Sequence, residues 1–464
     1  MGQYLIISVS GMRGVVGDNL TPAIAAEYGC AFGTFLRAQT GSEKKRLRVC
    51  MGRDSRVSGP MLMSAMAAGL CATGVDVVDL GLVTTPSVGV MVRELGCEGG
   101  VVITASHNPI PYNGIKLLLG NGMAPPPATA AALKQLYLEK RFRLVDSPAC
   151  GRIVPNVETD RIHVEKVLAI VDAQQIAGKR YKIVLDSVNG AGAGITKKLL
   201  SRLGCTVVAF NDEPTGLFAH EPEPTAANLT ELCERVKGES ADLGFAQDPD
   251  ADRLAIVDEQ GTYIGEEYTL ALAARHAFAH RSGTAAANLS TSRMIDDVAE
   301  RAGGRVIRTP VGEANVARAM LEHDCIIGGE GNGGVIDLRV GPVRDSLVGI
   351  ALVLQLMAET GQSISQLRRE IGGYCMQKDK FAADVDLARL IMDSAKMKFA
   401  DAKLNTADGC RFDFEDGWIH LRTSNTEPVM RMIIEARDES VARRYTDSVM
   451  EIRTSVLEHN RGPT

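Results

Sequence analysis

A chain of 464 residues is too long for one hydrophobic core and predicts several domains of roughly 100 to 150 residues each. Apolar residues at 45% and charged residues at 23% exclude a disordered chain, and a net charge of −6 excludes general attraction to nucleic acid or anionic membrane, so small-molecule partners are expected. The ten cysteines stand singly with no CxxC, which argues against zinc and against a disulfide framework, and the N-terminus MGQYLIISVSGMRG shows no secretory pattern; a cytoplasmic protein is expected, as a monomer or homodimer.

In chain order, Val/Ile-rich runs alternate with helix-length segments, the pattern of parallel βα units whose sheet is covered on both faces. The first block holds RLRVCMG, then VDVVDLG, then GVVITAS. Its most apolar stretch, MLMSAMAAGLCATGVDVV from Met61, reads as a buried helix running into a strand rather than a membrane span, because Asp76 and several Gly and Ser interrupt it. The second block holds YKIVLDSVNGAG, CTVVAF and LGFAQDPD, and the third AAANLS, RVIRTP and CIIGGEGNGG. Past roughly Gly372 the alternation stops, and helix-like DLARLIMDSAKMKFADAKL, then RFDFEDGWIHLRTS, RMIIEARD and a last amphipathic helix predict a compact α+β unit. The expected fold is α/β, with three similar α/β domains of mixed sheets at 1–153, 154–256 and 257–372 and a smaller α+β domain at 373–464.

Ligands of such sheets gather beyond the carboxyl ends of the strands, which singles out four loops. In VVITASHNPIPYNGIK an apolar strand delivers Ser106 into a turn with His107 and Asn108, where a hydroxyl could carry a phosphoryl group or merely cap a turn, and Lys116 follows as a local cation. In DPDADR, alternation places Asp248, Asp250 and Asp252 on one side of an extended loop, a set of hard oxygens suited to Mg²⁺ rather than zinc; an acidic solvated turn is the plain alternative. GGEGNGG brings Glu330, Gly331 and Asn332, an acceptor and an amide beside glycines that admit a ligand to the backbone. RTSNTEPVMR concentrates Arg422, Ser424, Asn425, Thr426 and Arg431, as a phosphate that is held but not transferred would require.

Together these loops, with SGMRG at Ser10, GRDSR at Gly52, HEPEP at His220 and TPVG at Thr309, resemble the α-D-phosphohexomutase family of phosphoglucomutases, phosphomannomutases and phosphoglucosamine mutases over nearly the whole chain. The resemblance implies that Ser106 is phosphorylated in the resting enzyme and joins Asp248, Asp250 and Asp252 around one Mg²⁺. Arg253, Arg13, His107 and Lys116 would border the phosphoserine. Glu330, Gly331 and Asn332, with Thr309 and Gly312, would read the sugar, and Arg422, Ser424, Asn425, Thr426 and Arg431 would anchor the second phosphate. It further implies a hexose phosphate substrate, a hexose 1,6-bisphosphate activator and a bisphosphorylated intermediate that turns over between two half-reactions.

Two departures bear on the substrate. The family more often has Ser where Asn332 stands and His where Gly334 stands, and TPVGEAN places Glu313 where phosphomannomutase/phosphoglucomutase relatives tend to carry His and phosphoglucosamine mutases an acid. An acid there suits an amino sugar, so glucosamine phosphate is the expected substrate, with phosphomannomutase/phosphoglucomutase activity the alternative and a sugar phosphatase or an inactive sugar-phosphate binding protein further off.

Overall fold

A computed structural model describes residues 5–8, 11–40, 46–423 and 428–460. Three of its four sheets share one wiring. In the first, Leu47–Arg53 lies between its parallel neighbours Val75–Leu82 and Gly99–Ile103, and Tyr112–Leu119 returns antiparallel beside the latter. In the second, Lys182–Asp186 lies between Thr206–Phe210 and Leu243–Gln247, with Leu254–Asp258 antiparallel at the end. In the third, Thr284–Asn288 lies between Arg305–Thr309 and Ile327–Glu330, with Gly334–Ile336 antiparallel. The first sheet is widened to seven strands by Ile6–Ser8 and Gly11–Val15 on one side and Ile153–Pro155 on the other. The central strand of each sheet and its two parallel neighbours are the three apolar runs of each sequence block, and Ile153–Pro155 adds a further parallel strand to the first sheet. The antiparallel fourth strand makes the sheets mixed.

The repetition extends to side chains. Where the central strand ends, Asp54, Asp186 and Asn288 each accept the backbone N–H two residues on, from Arg56, Val188 and Ser290, forming the same Asx turn three times. The loop joining the third to the fourth strand recurs in the same way, and three of the four loops singled out above occupy it: residues 104–111, 248–253 and 331–333.

Burial on both faces of the first sheet follows from alternation along its strands. Leu47, Val49 and Met51 enter one core with Phe32 and Met66, while Cys50 enters the other with Val88 and Met91. The stretch from Met61 forms helix Gly59–Ala72 and strand Val75–Leu82, the helix packing on Pro22–Thr40. Helix Ser346–Thr360 is apolar on all sides from Leu347 to Leu354 because it is enclosed by its neighbours, among them helices Thr159–Leu168, Ala173–Lys179 and Glu267–His280. No single helix among the described residues is long and apolar enough to cross a membrane.

The fourth unit is built otherwise. Cys375–Ala382, Val429–Ala436, Gly417–Thr423, Cys410–Asp413 and Lys403–Asn405 form one antiparallel sheet in that order, packed with helices Val385–Lys398 and Glu439–Asn460. A cleft of about 600 Å³ opens where all four units meet.

Candidate active site

Ser106 sits at the strand end in a left-handed conformation, φ 50°, and is 4% exposed. A non-glycine residue adopts this region at a cost, which the surroundings must offset. They do so through Arg56, buried to 2% exposure. Its Nη2 donates to the carbonyls of Ser106 and Asn108, each at 2.6 Å, its Nη1 to Pro109 and Tyr112 at 3.0 and 2.9 Å, and its Nε to Asp54 at 3.1 Å. All five guanidinium donors are thus used to shape one loop. Asp54 also accepts from Thr104 Oγ1 at 2.6 Å, and that hydroxyl accepts the Ser106 N–H at 2.9 Å. The Ser106 hydroxyl itself points at Asp248 Oδ2, 2.9 Å away.

The acidic loop is a tight turn and not the extended segment expected from alternation. Ala251 is left-handed at φ 54°, its N–H donates to the Asp248 carbonyl, and the N–H groups of Asp252 and Arg253 both donate to Asp248 Oδ1 at 3.1 Å. Folding, rather than extension, brings the three carboxylates together, with one oxygen of each inside a 4.8 Å span. All three aspartates are fully buried. Burial first, and then the like charges of Asp252 and Asp250, push the Asp248 carboxyl well above its ordinary range.

Lys116, on the fourth strand, lies 2.7 Å from Asp250 and 3.5 Å from Asp252; burial disfavours its charge, but these two carboxylates outweigh it and raise its pKa. Thr85 Oγ1 donates to Asp250 at 2.6 Å and Arg344 Nη2 to Asp252 at 2.6 Å. Even so, buried Asp250 Oδ1 and Asp252 Oδ1 have no hydrogen-bond partner. Two orphaned anionic oxygens beside a third carboxylate and a serine hydroxyl fit a hard divalent cation, and the all-oxygen set suits Mg²⁺.

The remaining residues on the Ser106 side surround this point. His107 Nδ1 lies 3.4 Å from Ser106 Oγ; burial, then the guanidiniums of Arg253 and Arg13, lower its pKa to about 2 and keep the imidazole neutral. Arg13 donates to Asn108 Oδ1 at 3.0 Å. Arg253 pairs with Glu223 at 3.3 Å, while its buried Nε has no partner. All three line the cleft.

On the third unit's side, Glu330, Gly331 and Asn332 line the cleft. Glu330 is already engaged by Asn288 Nδ2, the Gly312 N–H and Arg344 Nη1 at 2.7, 3.0 and 2.8 Å. Gly331 presses on the Glu267 carboxylate so closely that a Cβ would lie 2.0 Å from its Oε2. Thr309 is buried with its hydroxyl on the Pro310 carbonyl, and of this turn it is Val311 that reaches the lining. Glu313, singled out for the substrate, has its Oε2 taken by the Arg344 side chain at 3.0 Å, and it is absent from the lining. The acids that do face the cleft are Glu223, Glu266, Glu267 and Glu330.

The C-terminal unit closes the opposite side. Arg422 and Arg431 are register partners on adjacent strands, so their side chains share one face, and both line the cleft. Arg422 lies 3.4 Å from Asp408, and its buried Nε has no partner. Lys378 lines the cleft too, paired with Glu266 at 2.6 Å and Glu267 at 3.0 Å. Ser424, Asn425 and Thr426, like Ser10 of SGMRG, lie outside the described residues.

Sequence reasoning passed over Arg56, Thr85, Arg344, Glu267 and Lys378. Arg344 carried a usable signal: it opens the run RDSLVGIALVLQL, and charge at the mouth of so apolar a helix has to be paired.

The comparisons with known proteins agree with this geometry. Family models described as phosphoglucomutase/phosphomannomutase, alpha/beta/alpha domains I, II and III, match residues 5–144, 161–261 and 265–373, and the model of the C-terminal domain matches 378–452. The chain therefore belongs to the phosphoglucomutase/phosphomannomutase family. It is 38% identical to a phosphoglucomutase/phosphomannomutase of Thermococcus kodakarensis, over 96% of this chain and 98% of that one. Identity to a Methanopyrus kandleri protein named "Probable phosphoglucosamine mutase" is 37%, over 99% and 100%. Among solved structures, a phosphoglucomutase/phosphomannomutase family protein of Burkholderia thailandensis superposes with a TM-score of 0.86 at 28% identity, covering 97% of each chain.

Proposed function

We propose that this chain is a phosphohexomutase that interconverts hexose 6-phosphate and hexose 1-phosphate through phosphorylated Ser106, with glucosamine phosphate as its preferred substrate. The observation that carries the reading is the Ser106 hydroxyl, held 2.9 Å from Asp248 and next to His107, which lines the same cleft as Lys116, Arg422 and Arg431. A mutase must grip two phosphates, one in transfer and one at rest. Arg253 and Arg422 each bring a buried, unpartnered Nε to this cleft, which supports two such grips.

In the first half-reaction the P–O bond to Ser106 Oγ breaks as a new one forms to the free sugar hydroxyl, whose proton is taken up at the site. The bisphosphorylated sugar turns over, and its other phosphoryl group returns to Ser106 Oγ. Mg²⁺ held by Asp248, Asp250, Asp252 and Ser106 would supply charge neutralisation at the phosphoryl oxygens. Lys116 holds positive charge against the acidic loop, and Arg13 braces Asn108 of the serine turn. His107, 3.4 Å from Oγ, is held neutral by its burial and the neighbouring guanidiniums, which suits it to orient the serine oxygen and not to store a proton. Arg422 and Arg431, with Ser424, Asn425 and Thr426, would hold the resting phosphate. Closing the C-terminal unit over the cleft would exclude water from a phosphoserine, which favours transfer between sugars over release of phosphate. A hexose 1,6-bisphosphate would load Ser106 as activator.

The preference for an amino sugar no longer leans on Glu313, which is spent on Arg344; it leans on similarity to proteins named as phosphoglucosamine mutases, against which stands the 38% relative named phosphoglucomutase/phosphomannomutase. A cytoplasmic location is supported by ten cysteines that all stand as free thiols. The test is turnover of glucosamine, mannose and glucose phosphates with Mg²⁺ and a bisphosphate, in wild type and Ser106→Ala. The variant should lose about 10⁴-fold or more in kcat, and incubation with bisphosphate should add one phosphate to Ser106. Unchanged turnover in the variant sinks the phosphoserine, and a tenfold lower kcat/KM for glucosamine phosphate than for either other sugar sinks the substrate preference.

A further inference from the structure

Helix Glu267–His280 has two ends with chemistry. Its first residue faces the cleft, and about 20 Å away, at 1.5 Å per residue, its last turn carries His276 and His280. Spaced i, i+4, the two imidazoles share one face of the helix, with ring centroids 4.7 Å apart. Opposite them, on helix Ser346–Thr360, stands Glu359: its Oε2 lies 3.2 Å from His276 Nδ1 and 3.0 Å from His280 Nε2. We propose that His276, His280 and Glu359 form a second metal site, separate from the acidic loop, that takes a borderline divalent cation of the Zn²⁺ class with water as fourth ligand.

Distance, orientation and space support the site. Ligand atoms at about 2.0–2.1 Å from a tetrahedral Zn²⁺ stand about 3.3 Å from one another. The two nitrogen–oxygen separations are close to that edge, and all three donor atoms lie within 4.8 Å of one another. The carboxylate is aimed by buried Gln355, whose Nε2 donates to Glu359 Oε1 at 2.9 Å and so leaves Oε2 to face the imidazoles. Gln355 is fixed in turn, donating to Gln175 Oε1 at 2.6 Å and accepting the Asp172 N–H at 2.8 Å. Ligands whose far side is held by such hydrogen bonds are the pre-oriented kind.

The site opens into a groove of about 500 Å³, with room for the ion and its water. Two arginines also line it, but Arg339 is paired with Asp337 at 2.6 Å and Arg281 donates to the Ile326 carbonyl at 2.9 Å. Mixed imidazole and carboxylate donors separate this site from the all-oxygen acidic loop, which prefers a harder ion. The scattered cysteines argued against zinc, but no thiolate is involved here. A bound ion would staple two buried helices at the end remote from the cleft.

The test uses the full chain with Mg²⁺ in excess, so that the acidic loop is filled, and titrates Zn²⁺ by calorimetry and Co²⁺ by visible absorption. Wild type should bind one Zn²⁺, give the intense Co²⁺ bands of a four-coordinate site and melt at higher temperature with Zn²⁺. His280→Ala, at an exposed position that should leave the metal-free fold and the Mg²⁺-dependent turnover unchanged, should lose at least 100-fold in Zn²⁺ affinity, together with the Co²⁺ bands and the melting shift. Glu359→Gln should lose at least tenfold. Zn²⁺ binding of equal strength in wild type and both variants, or no saturable Zn²⁺ binding in wild type, overturns the site.

Discussion

The two walls of the cleft are held in different ways. On the Ser106 side, one apolar cluster runs from Val90 to Ile371 and crosses all three α/β units, and a buried chain of Ser87, His163 and Asp345, linked at 2.9 and 2.6 Å, ties them again. On the other side, the C-terminal unit has an apolar cluster of its own, made only of residues from Cys375 onward. It meets the rest through polar contacts, such as Arg293 on the carbonyls of Phe414 and Gly417, Ser290 with His420, and Lys378 with Glu266 and Glu267. Cores shared across units resist relative motion, whereas a polar seam between self-contained cores permits it. On the function proposed above, chemistry would sit on the rigid wall and recognition of the resting phosphate on the wall able to swing.

The sharpest way to break this contrast is to disturb the rigid wall. Removing divalent metal with a chelator, or making Asp250→Asn, should lower kcat by at least about 10³-fold, since the orphaned carboxylate oxygens have no other purpose. Restoring Mg²⁺ should recover the chelated wild type and not the variant. Arg56→Met touches no reacting atom yet strands four carbonyls and the Asp54 carboxylate. It should cost about 3–5 kcal/mol in denaturant unfolding and lower kcat as the serine turn relaxes. Retained stability would mean that the turn is held by something other than this guanidinium.

The swinging wall should respond differently. Arg422→Lys keeps the charge but not the planar fork, and should raise KM about tenfold while kcat changes by no more than a few-fold. If kcat falls as far as kcat/KM, this wall takes part in the transition state and the division between chemistry and recognition fails.

How far the sequence could be read follows the same division between local and distant. The central parallel strand of each α/β sheet with its two parallel neighbours, and the loops bearing Ser106, Asp248 and Glu330, were legible because each pairs an apolar run with its own chemistry a few residues away. The antiparallel fourth strands were not: Gly334–Ile336 has only three residues, and Leu254–Asp258, though as long as the parallel strands of its sheet, follows a short loop with no helix-length segment before it to mark a βα unit. The convergence of the aspartates was expected for the wrong reason: alternation suggested an extended loop, where the left-handed Ala251 makes a turn. Arg56 and Thr85 escaped because their partners lie 50 and 165 residues away and nothing local marks such pairings; Arg344 is marked locally by the apolar helix it opens, but its partner Asp252, 92 residues away, is not.

The smallest effect tests the seam between the walls. Burial raises the Glu267 carboxyl to about 7, although the Lys378 ammonium at 3.0 Å pulls it down. An acid held up in the folded state binds its proton more tightly there than in the unfolded chain. Its contribution is therefore complete below the unfolded value of 4.5 and is lost as pH rises through about 7. The shift is worth up to about 3 kcal/mol. Glu267→Gln keeps an acceptor for the Ser292 N–H but cannot ionise, so its unfolding free energy should stay level from pH 4.5 to 8 while that of wild type declines. Parallel curves would mean that Glu267 stays ionised against Lys378 throughout, making the seam a permanent ion pair and the C-terminal wall correspondingly less free to move.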